Sequence, residues 1–79
     1  MERDADFAAY AEGRWTSLVR SAVLLGCSHV DAEDLAQATL LKAWSSWGRV
    51  RRANDPDAYV YRILVNTLST SRRRRWWGE

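Results

Sequence analysis

The chain has 79 residues, one cysteine and a net charge of +2, enough for one small domain but not for two. A single thiol, Cys27, rules out an internal disulfide and fits a reducing, cytoplasmic compartment. No run approaches the roughly 20 apolar residues of a membrane span, and the charged start MERDADF does not resemble a signal peptide.

In chain order, the first helical pattern covers Asp6–Leu25. Phe7, Ala11, Trp15, Leu18, Ala22 and Leu25 recur at spacings of four and three, with Gly13 inside the run as a point where the helix can bend. Gly26–Val30 breaks the pattern, with Gly26 placed as a C-cap. The central stretch DAEDLAQATLLKAWSSW, Asp31–Trp47, predicts a second helix with Asp31 as N-cap and Asp34 at the N3 position. Its stripe is Ala32, Leu35, Thr39 and Ala43, and Asp34, Gln37 and Leu41 point away from it. Gly48–Asp57, GRVRRANDPD, reads as a loop. Asp55 and Pro56 then start a third helix whose apolar positions are Tyr59/Val60, Ile63/Leu64 and Thr67/Leu68. This helix is expected to run to about Ser71, followed by a fraying basic tail. The expected fold is all-α, a compact three-helix bundle with a basic C-terminal tail.

Charge is divided unevenly. Residues 1–48 carry four cations against seven anions, and residues 49–79 carry eight arginines against three anions. A basic C-terminal half built only from arginine suits a polyanion, because the guanidinium fork matches phosphates and base edges. Arg49, Arg51, Arg52, Arg62 and the run Arg72–Arg75, followed by Trp76 and Trp77, combine phosphate-seeking charge with aromatic platforms for unstacked bases. Asn66, beside the third stripe, carries both a donor and an acceptor for a base edge. Trp15, Trp44 and Trp47 read as core or core-edge residues rather than base platforms.

Catalysis finds no support. Asp31, Glu33 and Asp34 in one first turn are ordinary helix-dipole chemistry, not a metal site. His29 has no metal-ligand spacing to any partner, and Cys27 has no general base near it in sequence. There is no Gly-rich phosphate loop and no nucleophile motif. No catalytic residue, metal or cofactor is expected. A stand-alone helical domain reading duplex DNA in the manner of a repressor is the alternative to a single-strand binder.

DAEDLAQATLLKAW, followed about a dozen residues later by DPDAYVYRILVNTLSTSRRRR, resembles conserved region two of bacterial sigma factors of the extracytoplasmic-function group, in the style of actinobacterial members. The resemblance covers Phe7 to Arg75. It implies a transcription initiation domain, residues 1–75, with 76–79 opening a linker and the family's second, minus-thirty-five-reading domain absent. It implies docking of Asp34, Gln37, Leu41 and, at the edge, Lys42 on the clamp helices of the RNA polymerase beta-prime subunit. It also implies that the Val50–Asn54 loop, with Arg51 and Arg52, holds a base flipped from the single-stranded minus-ten promoter element. Tyr59, Arg62, Ile63 and Asn66 would line the matching helix face, and Arg72 and Arg73 would grip the strand backbone. Ala38 and Leu40 stand where many relatives carry an acid and an aromatic. The same resemblance admits an anti-sigma factor as a further partner.

Overall fold

The computed structural model describes the backbone of residues 2–78 and the side chains of residues 3–74. Four helices follow one another: α1 Glu2–Leu24, α2 His29–Ser45, α3 Trp47–Arg52 and α4 Pro56–Gly78. Among the described residues there is no strand. The three long helices stand where the apolar stripes put them. The fourth, α3, occupies most of what reads in sequence as a loop.

α1 begins earlier than expected and passes through Gly13 without interruption. It ends at Leu24, and Gly26 takes φ +105° in the turn that follows, a conformation that disfavours any residue with a Cβ. α2 starts one turn before Asp31. Ser28 is its N-cap, and the Ser28 hydroxyl accepts from the Asp31 amide at 3.2 Å. Two good capping residues compete here. Choosing Ser28 adds a turn to the helix and puts Asp31 at N3, where a carboxylate still meets the positive end of the dipole. Asp55 caps α4 as expected, accepting from the Ala58 amide at 3.2 Å.

The core joins Leu18, Val19 and Ala22 of α1, Leu35 and Ala36 of α2, Trp47 and Val50 of α3, and Val60 and Leu64 of α4. Ala22, Ala32, Ala36 and Ala43 are fully buried, and their small side chains let α2 approach its neighbours closely. Thr39, also fully buried, donates its hydroxyl to the Leu35 carbonyl at 2.8 Å, so no polar atom is stranded there. At one end, Phe7 packs on Trp44 and Trp47 with ring centroids 5.1 and 5.4 Å apart, and Tyr10 packs on Trp47 at 5.4 Å. Trp15, Trp44 and Trp47 are thus core and core-edge residues, as expected, whereas the side chains of Trp76 and Trp77, expected as platforms for bases, lie outside the described residues. The Trp47 indole Nε1 is buried without a hydrogen-bond partner among the described residues.

α3 is short, six residues, and is held by tertiary contacts more than by propensity. Trp47 and Val50 sit three apart on its inner side, and the arginines between and after them point outward. α4 keeps helical backbone through the arginine run as far as Gly78, so helix does not give way after Ser71. Arginine is a good helix former, and α1 supports the run from the side. Arg72 donates to the Leu25 carbonyl at 2.7 Å, closing the C-terminal end of α1.

Candidate nucleic-acid and polymerase interface

Spacing along α4 gathers the candidate base-reading residues. Tyr59, Arg62, Ile63 and Asn66 repeat at three, four and seven positions, which stacks them on one face. Together with Ala53, Asp55 and Ala58 they line an open pocket of about 410 Å³. Tyr59 and Ile63 are half-buried and rest on the core, while Arg62 and Asn66 are exposed. The Asn66 carbonyl accepts from Thr70 Oγ1 at 3.0 Å, but its side-chain amide makes no hydrogen bond among the described residues. It is left free to offer both a donor and an acceptor. The pocket therefore combines an apolar floor, a phenol ring, a guanidinium and an amide, the set that an unstacked base requires. Asp55 is a lining residue that its role as helix cap conceals in the sequence: one oxygen caps α4 while the carboxylate borders the pocket.

The remaining arginines and their loop divide. Arg51, Arg52 and Asn54 are exposed, but none of them lines the pocket. Arg51 pairs with Asp6 of α1 at 3.1 Å. Val50 is not a surface residue: it is fully buried, and its side chain anchors α3 to the core. Arg73 is exposed on α4. Arg72 is exposed as well and gives one donor, Nη2, to the Leu25 carbonyl.

A second network fixes where the pocket stands. Tyr10 Oη and Arg14 Nε both donate to Asp57 Oδ1 at 2.8 Å, and the Arg14 guanidinium lies 5.0 Å over the Tyr10 ring. These contacts tie α1 to the first turn of α4, two residues from Tyr59. The hydrogen bond from Arg14, and next that from Tyr10, holds the Asp57 carboxyl below its ordinary pKa of 3.8. Burial, reinforced by Asp57, pushes the Tyr10 phenol well above its ordinary value, so it stays a donor at neutral pH. A carboxyl with a lowered folded-state pKa adds stability above its unfolded value, and that stability is lost as pH falls through the folded value. Asp57→Asn is expected to be less stable than wild type at pH 7, by no more than about 1 kcal/mol because the pair is half exposed. The gap should close as pH falls below 3.8. Urea unfolding at a series of pH values measures it, and a gap that ignores pH would contradict an ionic contact.

The outer side of α2 presents the candidate protein-binding residues. Asp34, Gln37 and Leu41 are all exposed, Leu41 by 64%. Gln37 and Leu41 border an apolar groove between α1 and α2, of about 410 Å³, floored by Phe7, Leu40 and Trp44. Asp34 stands on the other flank and borders the groove between α2 and α4. Lys42 also leans toward α4, donating to Thr67 Oγ1 at 3.2 Å. The four residues thus form a ridge with two sides, not one flat patch. Among the described residues, no three His, Cys, Asp or Glu side chains stand close enough to share a metal ion. No described helix is long and apolar enough to cross a membrane.

The family model described as Sigma-70 region 2 matches residues 14–78. An RNA polymerase sigma-E factor of Streptomyces avermitilis is 35% identical over 72 residues, covering 91% of this chain and 37% of that protein. The ECF RNA polymerase sigma factor SigG of Mycobacterium tuberculosis is 36% identical over 77 residues, covering 94% of this chain and 21% of that protein. The chain therefore spans less than two-fifths of the length of these curated relatives. No solved structure matches it. Model and relatives agree with the order of motifs along α2 and α4: the chain belongs to the sigma-70 region 2 family, in the extracytoplasmic-function group.

Proposed function

We propose that this domain acts in transcription initiation by capturing one flipped base of the non-template strand of the promoter minus-ten element, while the α2 ridge docks on the beta-prime clamp helices of RNA polymerase. It is a binding module and performs no bond chemistry. The observation that carries this reading is the pocket where Tyr59, Arg62, Ile63 and Asn66 converge beside the arginine-bearing α3, in a chain of this family. Extruding a base costs a few kcal/mol in lost stacking and pairing. Stacking on Tyr59, hydrogen bonds to Asn66 and Arg62, and phosphate contacts from exposed arginines such as Arg73 offset that cost. Gln37 and Leu41, beside an apolar groove, supply the contact area for a helical partner, with Asp34 and Lys42 at its margins.

The test is Asn66→Ala against single-stranded oligonucleotides that differ at each position in turn. A bidentate amide–base pair is worth about 1–3 kcal/mol of discrimination. The variant is expected to lose at least about 5-fold in affinity and to become indifferent to the base at one position only. Equal affinity and an unchanged base preference would remove Asn66 from the site.

A further inference from the structure

We propose that a second recess, bounded by α3 and the start of α1, binds a backbone phosphate of the same strand, and that Arg3 is one of its ligands. This inference rests on the reading of the chain as a single-strand binder and extends it to a residue of the acid-rich N-terminal half. The recess, of about 440 Å³, is bounded by Arg3, Trp47, Gly48, Arg51 and Arg52. Three arginines from two helices thus bound one opening, and α1 contributes one of them from 48 residues before Arg51 in the sequence.

The arrangement is built and only part neutralised. Arg3 is laid over the Trp44 ring, its Cζ 5.1 Å from the centroid, a contact that steadies the side chain. Arg51 is steadied by Asp6 at 3.1 Å. Arg3 and Arg52 form no ion pair among the described residues. Among the described residues, Asp6 is the carboxylate paired with one of these three arginines. The Arg52 guanidinium lies close to Gly48, where a Cβ would stand at an ordinary contact distance of 3.7 Å from it. Forked donors converging on a recess with excess positive charge suit the two unesterified oxygens of a phosphodiester. The base pocket begins at Ala53, the residue after α3 ends. A strand with a base in that pocket can therefore lay a neighbouring phosphate along α3 into the arginine recess.

The test is fluorescence anisotropy of a labelled single-stranded minus-ten oligonucleotide between 50 and 200 mM salt, roughly the range over which phosphate contacts are resolved. Arg3→Gln and Arg52→Gln should each flatten the slope of log K against log salt by about 0.7, the value for one phosphate on a single strand, and Arg3→Gln should leave base preference unchanged. Arg3→Lys should keep the slope. Next, one neutral methylphosphonate linkage is walked along the strand. At one position it should weaken wild type and leave Arg3→Gln unaffected. Wild-type slope and affinity in both Gln variants would overturn the proposal, as would equal sensitivity to the neutral linkage at every position. Inorganic phosphate that competes at constant ionic strength, with no linkage position singled out, would assign the recess to free phosphate and overturn the strand contact. A wild-type chain that prefers no base would defeat the base-pocket reading instead, whatever the salt slopes show.

Discussion

Alanine in place of Tyr59 is expected to weaken single-strand binding by about 5- to 150-fold, the 1–3 kcal/mol that one base–aromatic stack contributes. Tyr59→Phe should bind nearly as wild type, because the ring and not the hydroxyl forms the platform. The ring also rests on the core, so Tyr59→Ala lowers stability as well. Binding is therefore measured well below the variant's unfolding midpoint, with circular dichroism confirming helix content. Phe restoring affinity while Ala loses it locates the effect in stacking. A Phe variant as weak as Ala would shift the role to the hydroxyl and contradict the platform.

Leu64→Ala should produce the largest loss of stability. Leu64 is the largest of the fully buried side chains and sits on α4 against the core elements of all three other helices. Truncating a buried leucine costs about 2–5 kcal/mol, including the cavity it leaves. A domain of this length has only about 4–12 kcal/mol in hand. The unfolding midpoint should fall by more than about 10 °C, read by thermal melting at 222 nm. Strand affinity should fall only in step with the unfolded fraction and return on cooling. A variant that melts normally yet cannot bind would mean that Leu64 contacts the ligand, which its burial forbids.

The stripes of α1, α2 and α4 were legible because each long helix buries one face, and burial is what periodicity records. The grouping of Tyr59, Arg62, Ile63 and Asn66 is implied by the family resemblance, and their spacing on one helix face accounts for their lining a single pocket. α3 was hidden. Only Trp47 and Val50 of its six residues reach the core, and two inward positions do not make a period. That concealment also misplaced Val50, whose position among arginines suggests a surface loop. The Ser28 cap was hidden by Asp31, an equally good capping residue three positions later. The hydrogen bond from Arg72 could not be read from sequence, because its acceptor, the Leu25 carbonyl, is 47 residues away. The Tyr10–Arg14–Asp57 network and the approach of Arg3 to α3 share that character. Each joins residues that only the packing of α1 against the rest brings together.

The most direct measurement is equilibrium binding of this chain to one minus-ten sequence presented twice, as the isolated non-template strand and as the paired duplex. The strand should bind more tightly, with one base position dominating the affinity. Tighter binding to the duplex, with the discrimination spread over several paired positions, would contradict an interface made to hold an extruded base.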